Sequence, residues 1–587
     1  MSETQQRSPL ARPATAADQA RRGPRDALFA AACVLVGAWA LFQNFFKIGT
    51  APILADEPVY TTAGWRYLYG KVSSPPPFRS QAATPANFEH PPLAKYLFGL
   101  AQRLSGTPGD LTASRCVSAA ATVLAAVVAG VWLARAAGRW PGLLAAGLLA
   151  VLPQPAGGSD GRFGRFAMLD PLATLFMVLS VVLAWEWFRQ GSLQGSRQGS
   201  RQGSRSRQPS RQSPRRWSPQ WSRLGSRQSQ LQSSRHSGRR AWVLAVATGG
   251  AVALAAGAKE NGWLGAVGPV VLILVSAARS RRGSVIRARL AQTAAAVVVA
   301  VAGFAALYLP ISDPISAIRY LVGFQTTHSS DGHLVGFAGR VTSRPPWWAN
   351  LWFAGHGYGS VLSGFIVVAA LCAVVLRRDL LVGWCAASLA APFVFHCFIA
   401  HVALSFYWVM WTPMVLVLAA LGVCEVVGRA ARVRRWPAPL AAATAVALLL
   451  VPELEGVEES VATAQIHPVG PEALPALMAG HHLSGPIVST GVAGWEYSYY
   501  LPSVAVTTSI REDASVPADT IVVAKPQCRD ALDPAVRALV AVNEASGGVQ
   551  QIYSDATMTV YAVVGTLKAP TPEQVADQPP SRDTDGC

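Results

Sequence analysis

Charged side chains are scarce in this sequence. Only 14% of its 587 residues are charged, while 51% are hydrophobic, and a soluble globular protein carries about 25% charged residues. Apolar stretches close to the membrane-spanning length of about 20 residues recur along the chain. The shortage of charge therefore excludes a string of soluble domains and predicts a polytopic membrane protein with an additional soluble part.

Acidic residues are absent from 191–240, although this segment contains twelve arginines and the repeat GSRQGSRQGSR. It has too little apolar surface to fold, so we predict a disordered cytoplasmic loop over 189–240. The net charge of +18 would otherwise suggest nucleic acid. Because this loop carries much of that charge, we expect no nucleic-acid partner. Contact of the loop with RNA or anionic lipid remains an alternative.

Metal-binding cysteine spacings are also missing. Six of the eight cysteines lie in or next to predicted membrane spans, where they are best interpreted as small apolar residues. Cys528 and Cys587 are predicted to lie outside the cell, where a disulfide is chemically allowed. Nothing in the sequence pairs them. A small-residue cleavage site is absent from the basic leader, so no cleavable signal is expected.

Eleven apolar segments are predicted to cross the membrane. With the N-terminus inside, every strongly basic connector falls on the cytoplasmic side, and this parity supports the count. We expect a disordered cytoplasmic N-terminus over 1–26 and a membrane domain over 27–452 in the plasma membrane. The predicted spans are 27–47, 112–135, 140–155, 170–188, 241–257, 262–278, 290–310, 358–376, 380–400, 404–427 and 437–452.

The segments predicted to face outward differ in composition from the spans. Residues 48–111 and 311–357 are long and rich in Trp, Tyr, Pro and His, which favours functional loops. Within the first, 91–104 is predicted to form a short helix along the membrane interface. Strand-like and helix-like runs alternate over 453–572, which predicts an extracytoplasmic α/β domain. Residues 573–587 are predicted to be a disordered tail.

Four polar clusters lie in these outward segments: DEPVY, FEHPPLAK, GRFGRFAMLDP and AKENGW. Each has an ordinary explanation when it is taken singly. The acids of the first are explained by solvation, and Asp170 followed by Pro171 is a good helix start. Their predicted placement on one face is harder to explain that way. The residues concerned are Asp56, Glu57, Glu89, His90, Lys95, Arg162, Arg165, Asp170, Lys259, Glu260 and Asn261.

This set of side chains suits the transfer of a sugar from a lipid phosphate. The leaving phosphate is already acidic, so it needs cations to hold it more than a general acid. The acceptor hydroxyl needs one carboxylate as base. Hydrolysis of a glycoside would instead require two carboxylates flanking the bond. A second acid at such a site would orient the acceptor or bind Mg²⁺ or Mn²⁺.

The ordered motifs DEPVY, FEHPPLAK and RFAMLDP resemble those of the GT-C membrane glycosyltransferases. The protein O-mannosyltransferase and aminoarabinose transferase group is the most similar, over about 48–360, and its members use polyprenyl- or dolichyl-phosphate sugars. The resemblance implies that Asp56 is the catalytic base. It also places the family's His-Pro-Pro and lysine on His90 and Lys95, and its second-loop arginine and aspartate on Arg165 and Asp170. A C-terminal α/β domain is similar to the aminoarabinose side of this group.

From the residues and the resemblance together we predict a polytopic inverting glycosyltransferase that is mannosyltransferase-like. Its donor is a polyprenyl-phosphate sugar and its acceptor a hydroxyl on protein, lipid or glycan. Asp56, Glu57 and Asp170 are assigned to catalysis, with Asp56 and Glu57 as ligands if a divalent cation binds. Lys95, Arg165, Arg162 and Lys259 are assigned to the donor phosphate. Substrate binding is assigned to His90, Glu89, Tyr60, His328, His333, Trp347 and Tyr407.

Two other classes remain open from the sequence. A lipid transporter or flippase would share the many spans and the cationic surface sites, but it should carry ionisable residues at mid-membrane depth. The predicted spans are almost free of them, since Glu186 and Glu425 lie near inner ends. A non-catalytic protein of envelope assembly would tolerate the loss of both Asp56 and Asp170.

Overall fold

The computed structural model describes a chain of membrane-length helices followed by a small mixed sheet. The described residues are 16–50, 53, 56–69, 72, 75, 86–150, 163–205, 221–280, 282–332, 335–337, 340–342, 344–400, 402–404, 407–433, 473–489, 497, 501, 503–507, 509–510, 515–524, 532–554 and 558–578.

Fourteen α-helices precede the C-terminal unit in the described residues. In chain order they are α1 (Ala16–Phe45), α2 (Glu57–Leu68), α3 (Leu93–Ser105), α4 (Leu111–Ala137), α5 (Arg139–Ala150), α6 (Asp170–Arg205), α7 (Trp221–Ala258), α8 (Val267–Arg279), α9 (Gly283–Ala306), α10 (Pro314–Asp331), α11 (Ala349–Tyr358), α12 (Ser360–Arg377), α13 (Leu380–Val394) and α14 (Thr412–Val433). A short hairpin of β1 (Val335–Phe337) and β2 (Arg340–Thr342) lies between α10 and α11.

Nine stretches of the described chain are long and apolar enough to cross a membrane. They are Asp26–Thr50, Leu111–Ala137, Asp170–Gln190, Gly238–Ala258, Gly262–Arg279, Gly283–Ala306, Ser360–Arg377, Leu380–Ile399 and Thr412–Arg432. These match nine of the eleven predicted spans. The predicted span at 140–155 is represented by α5, whose 12 described residues end at Ala150. The predicted span at 437–452 lies outside the described residues.

Apolar side chains cover the outward-facing surfaces of these helices as well as the surfaces where the helices pack against one another. On α9, Val298 and Val301 are 66% and 64% exposed. Such a surface is unfavourable in water and stable in hydrocarbon, which is what a spanning helix requires. Inside the bundle the packing is aromatic: Trp187 and Trp384 are fully buried, and Trp185 lies edge-on to Trp384 at 5.4 Å.

Helices α2 and α3 pack backbone against backbone. A Cβ atom added to Gly99 would lie 2.2 Å from the carbonyl oxygen of Gly64, so neither position has room for a side chain. Helix α3 is the helix predicted over 91–104, and its existence is confirmed. The contact fixes α3 against the helix that begins just after Asp56.

Parts of the segments predicted to be disordered are helical in the structure. Helix α6 continues to Arg205 and α7 begins at Trp221, which contradicts a loop without structure over 189–240; residues 206–220 lie outside the described residues. Extending an existing helix costs little free energy, and Arg and Gln are good helix formers. Helix α1 likewise begins at Ala16, inside the segment predicted to be a disordered N-terminus.

The C-terminal unit is the predicted α/β domain. Its helices are α15 (Leu474–Gly480), α16 (Pro534–Glu544) and α17 (Pro572–Ala576), and its strands are β3 (Ile487–Ser489), β4 (Val506–Thr507), β5 (Ser515–Val516), β6 (Ile521–Ala524), β7 (Val549–Ser554), β8 (Thr559–Val563) and β9 (Leu567–Lys568). Five strands form a sheet in the order β4-β3-β6-β8-β7, and β5 pairs with β9. Helix α17 begins with a capping box at Thr571 and lies at the start of the predicted disordered tail.

The register of this sheet follows the apolar pattern of its strands. Strand β3 runs parallel to β6, with Ile487 opposite Ile521, while β8 runs antiparallel to β6, with Ala562 opposite Ile521. All four residues of β6 are buried. A central strand buried on both faces is expected to be continuously apolar, as IVVA is.

Candidate active site

Asp56 and Glu57 are consecutive in the chain but lie in different surroundings. Asp56 precedes the first turn of α2 and is half-buried, and its side chain does not cap the helix. The hydroxyl of Tyr60, one turn later, lies 3.5 Å from Asp56 Oδ2. Glu57 is fully buried. Asp56 is therefore the acid of this pair that is open to a substrate.

Glu57 forms a buried, two-pronged ion pair with Arg115 of α4. Arg115 Nε donates to Glu57 Oε1 at 2.8 Å and Nη2 donates to Oε2 at 2.7 Å, with both side chains fully buried. The backbone N–H of Ala167 also donates to Glu57 Oε1, at 2.6 Å, and Arg115 Nη1 donates to the Ile48 carbonyl. Glu57 thus joins α2, α4 and the segment before α6.

A second buried ion pair joins two of the predicted clusters. Lys259 Nζ donates to Asp170 Oδ1 at 2.7 Å, and both side chains are at most 3% exposed. Lys259 also lies over the Tyr407 ring, 4.6 Å from its centroid. Asp170 begins α6 and Lys259 follows α7, so the pair joins the ends of two helices that pack along each other.

Tyr60 and Tyr407 lie between the two acids. Burial raises the pKa of the Tyr60 phenol well above its ordinary value, and the negative charges of Asp56 and Asp170 raise it further. Burial likewise raises the pKa of Tyr407, followed by the charges of Glu260, Asp170 and Asp56. Both phenols are therefore neutral hydrogen-bond donors at physiological pH, placed among carboxylates.

The His-Pro-Pro loop and the turn after α7 meet at an ion pair. His90 Nδ1 lies 3.0 Å from Glu260 Oε2, and the His90 ring contacts Tyr60 edge-on at 5.8 Å. Burial alone would raise the pKa of Glu260, but His90 and then Lys259 outweigh it and lower this pKa to about 2. Glu260 is therefore ionised, and His90 is held beside Tyr60.

Lys95 is fully buried and directed at its own loop. Its ammonium nitrogen donates to the Asn87 and His90 carbonyls, the latter at 2.6 Å, and to Asn87 Oδ1 at 3.2 Å. Burial lowers the pKa of Lys95 to about 7, against the opposing charges of Glu89 and Glu260. These contacts favour a role in shaping the His90 loop over the predicted contact with the donor phosphate.

Arg165 uses only part of its hydrogen-bonding capacity in the described structure. Its Nη2 donates to the Phe46 carbonyl at 2.5 Å, and its buried Nε has no hydrogen-bond partner among the described residues. Burial lowers the pKa of Arg165, and the neighbouring Arg115 lowers it further. Within the described part of the chain no carboxylate pairs with Arg165, so it retains capacity to bind an anion.

The remaining predicted residues are dispersed around this site or lie beyond it. Glu89 is buried, and its carbonyl accepts from Gln325 of α10 at 2.9 Å. His328 stacks on Phe324 one turn along α10. Trp347 is 54% exposed and stacks on Phe398 at 5.3 Å. Arg162 and His333 lie outside the described residues.

Glu57 is poorly placed to bind the predicted divalent cation. Both oxygens of Glu57 are bound by Arg115, and Oε1 also by a backbone N–H. Among the described residues no group of three or more His, Cys, Asp or Glu side chains is placed to hold a metal ion. The geometry therefore does not support Glu57 as a metal ligand, and binding of Mg²⁺ or Mn²⁺ by Asp56 stays a prediction.

The sequence interpretation missed Arg115 and Asn350. Arg115 was not singled out. The signal that could have identified it is a charged residue near the start of an otherwise apolar spanning helix. Asn261, His396 and Asn350 form a chain: the Asn261 amide nitrogen lies 3.3 Å from His396 Nε2, and Asn350 Nδ2 donates to the His396 carbonyl at 2.6 Å. Asn350 carried no signal of its own in the sequence.

The architecture and the site together define a class. A bundle of membrane-spanning helices holds acids, tyrosines and cations contributed by loops at the ends of its helices, and a mixed α/β unit follows it in the chain. This is the arrangement implied by the resemblance to the GT-C membrane glycosyltransferases, and comparisons with known proteins agree with it.

Residues 86–203 match the family model of the dolichyl-phosphate-mannose-protein mannosyltransferases. Among solved structures, ArnT from Cupriavidus metallidurans bound to undecaprenyl phosphate is 15% identical with a TM-score of 0.52, and the alignment covers 93% of this chain and 99% of that one. The apo form of the same protein gives 14% identity and a TM-score of 0.52, covering 92% and 98%.

The oligosaccharyltransferase of Archaeoglobus fulgidus in complex with Zn and sulfate is 12% identical with a TM-score of 0.51, covering 93% of this chain and 76% of that one. No curated protein sequence matches the chain. At these identities the structural likeness shows the fold. The chain is a multi-pass membrane protein with the fold of these enzymes, and the resemblance predicted from its motifs is confirmed.

Proposed function

We propose that this protein transfers a sugar from a polyprenyl-phosphate carrier to a hydroxyl acceptor. The observation that carries the proposal is the convergence of Asp56, Asp170 and Lys259 around two tyrosines, the buried Tyr60 and the half-buried Tyr407. The match of 86–203 to a mannosyltransferase family supports mannose as the first sugar to test.

Asp56 acts as the base in this reaction. The acceptor oxygen attacks the anomeric carbon of the sugar, its proton passes to the Asp56 carboxylate, and the bond from that carbon to the phosphate oxygen breaks. The polyprenyl phosphate leaves with the electron pair. A single displacement of this kind inverts the anomeric configuration. A positioned carboxylate base contributes typically about 10²–10⁴ in rate.

Cations stabilise the departing phosphate. Lys259 and Arg165 are the two candidates. Lys259 pairs with Asp170, and Arg165 has a buried Nε without a partner among the described residues. Neither is enclosed by several backbone carbonyls as Lys95 is. A lysine or arginine held in a site of low dielectric interacts strongly with developing phosphate charge. Asp170 then positions Lys259, while the ion pair of Glu57 with Arg115 holds the start of α2 next to Asp56.

The site is proposed to face away from the cytoplasm, in the plasma membrane. The basic connectors place the arginine-rich segment on the cytoplasmic side. The four polar clusters lie at the opposite ends of the same helices. Their shared location is supported by the contacts of His90 with Glu260 and with Tyr60, of Tyr60 with Asp56, and of Lys259 with Asp170.

The test is transfer from polyprenyl-phosphate mannose to envelope material of a strain that lacks this gene. The Asp56→Asn variant is expected to lose about 10²–10⁴ in rate while still binding the donor. Full turnover by this variant, once it is shown to be correctly inserted, would exclude the assigned role.

The matched control is Asp313→Asn. Asp313 caps α10 by accepting from the Ser316 backbone N–H at 3.0 Å, and asparagine caps a helix about as well. This variant should retain wild-type transfer. Movement of labelled carrier lipid across vesicles without sugar transfer by the wild-type protein would instead favour a transporter.

A further inference from the structure

A cavity of about 160 Å³ lies beside the site, between the start of α11 and the π-helical segment Phe395–Ile399. Its floor adjoins the site, because the His396 ring lies 5.4 Å from the Tyr407 ring, which in turn covers Lys259. None of its lining residues belongs to the four polar clusters. The residues used below are Trp347, Asn350, His396, Phe398 and Ala400.

Two buried polar side chains line this cavity, and its other lining side chains are apolar. His396 and Asn350 are each 2% exposed. His396 Nδ1 and Asn350 Oδ1 have no hydrogen-bond partner among the described residues. A buried polar atom without a partner costs free energy, so such atoms in a cavity indicate a ligand or water that satisfies them.

The hydrogen bonds fix the chemistry of these two atoms. With the Asn261 amide oriented as in the structure, its nitrogen lies 3.3 Å from His396 Nε2; this assigns Nε2 as the acceptor and places the ring proton on Nδ1. Asn350 Nδ2 is already used by the His396 carbonyl, which leaves Oδ1 as an acceptor. The cavity therefore offers one donor and one acceptor.

The rest of the lining is aromatic and apolar. Trp347 and Phe398 stack with their planes 14° apart, and Trp347 is 54% exposed at the edge of the cavity. A hydroxylated ring suits this combination, because each hydroxyl both donates and accepts, and its apolar face packs on an aromatic ring. A prenyl chain would leave both polar atoms unpaired.

We propose that this cavity binds a carbohydrate ring of the acceptor. The inference rests on the proposed glycosyl transfer and narrows its acceptor to a hydroxylated sugar. His396 Nδ1–H and Asn350 Oδ1 bind ring hydroxyls, and Trp347 packs against the ring. The chain His396–Tyr407–Lys259 sets the bound sugar next to the acids of the site.

The test is saturation-transfer NMR of the whole protein in lipid nanodiscs with methyl α-mannoside, methyl β-galactoside and methyl β-glucoside. Trp347→Ala removes an exposed ring, and Ala400→Phe fills the cavity from a half-buried lining position. Each variant is expected to reduce the transfer signal of the bound glycoside at least fivefold. Trp348→Ala is the control, because Trp348 is a neighbouring exposed tryptophan that does not line the cavity.

Three outcomes would overturn the assignment: no signal from any glycoside with the wild-type protein, equal signals in both variants and the wild type, or displacement of the glycoside by undecaprenyl phosphate. The last would mean that the cavity holds the carrier chain. Asp56→Asn should still bind the glycosides. Glycoside binding without sugar transfer by the wild type would refute the proposed function and leave the cavity assignment intact.

Discussion

The pair of Glu57 and Arg115 is fully buried on both sides and joins three segments of the chain. Taking two charges out of water is costly, and good geometry with additional hydrogen bonds is what offsets it. Here the guanidinium also donates to a backbone carbonyl and lies over the Phe166 ring at 5.3 Å. Removal of one partner alone should therefore be much worse than removal of both.

We expect Glu57→Gln to destabilise the protein severely. It leaves the Arg115 guanidinium buried without its counter-charge, and breaking a buried pair costs about 3–5 kcal/mol. The measurement is thermal unfolding of the purified protein in detergent. The double variant Glu57→Leu with Arg115→Met should unfold at a higher temperature than Glu57→Gln. A single variant as stable as the wild type would show that the pair is dispensable.

Glu260 should make stability sensitive to acid. Its pKa lies at about 2 in the folded protein against an ordinary 4.5, because His90 and Lys259 outweigh the effect of burial. A lowered carboxylate pKa contributes stability that is present above pH 4.5 and lost as the pH falls toward 2. The unfolding temperature of Glu260→Gln should therefore fall less between pH 6 and pH 3 than that of the wild type.

The control for this measurement is Glu573→Gln, an exposed residue of α17. Its unfolding temperature should follow the wild-type curve at every pH. If Glu260→Gln also follows that curve, the ion pair with His90 does not stabilise the fold.

For individual residues, the sequence indicated which side chains belong to the site, but it was less able to predict what each side chain contacts. Asp170 and Lys259 form an ion pair, and Asp56 contacts Tyr60. The contacts of Lys95 with the Asn87 and His90 carbonyls and of Glu57 with Arg115 depend on packing between distant segments. Residue type alone does not reveal whether a cation faces a substrate or its own loop.

Among the elements, α2 and α3 depend on a contact that admits no side chain. Gly99→Ala should lower stability and activity together, because its Cβ would lie 2.2 Å from the Gly64 carbonyl oxygen and the helices would have to separate. Overpacking costs about 1–3 kcal/mol. The measurements are thermal unfolding and sugar transfer.

Gly355→Ala is the matched control, since a Cβ at this helical glycine meets nothing within 4 Å. It should be neutral or slightly stabilising, because alanine favours a helix over glycine by about 1 kcal/mol. Equal behaviour of the two variants would rule out the close helix contact as the cause.

The elements themselves were largely predictable, because spanning helices are set by apolar length and the strands of the C-terminal sheet by short apolar runs. Strands β3, β6 and β8 and helix α16 fall on the runs GPIVST, DTIVVAK, MTVYAVV and DPAVRALVAVNEA. The arginine-rich segment was not predictable in the same way. The composition shows that such a segment has too few apolar residues to form a hydrophobic core. A helix that continues from a neighbouring span does not require a core of its own.

For the whole molecule, the charge pattern predicts that the C-terminal domain lies outside the cell. Exposed positions on the two sides allow a direct test in a variant without native cysteines. Ser546→Cys, after α16, should react with a membrane-impermeant maleimide in intact cells. Ser284→Cys, in the first turn of α9, should react only after permeabilisation. The reverse pattern would invert the topology.

The strand order of the C-terminal sheet also bears on when the protein matures. Strand β8 (Thr559–Val563) lies between β6 and β7 in the sheet and follows every helix of the bundle in the chain. The ribosome has therefore made every helix of the bundle before β6 can acquire its second neighbour. The sheet of this domain must therefore be completed after the helices of the bundle have been inserted. In a nascent chain halted before residue 559, the edge of β6 that pairs with β8 would be unpaired.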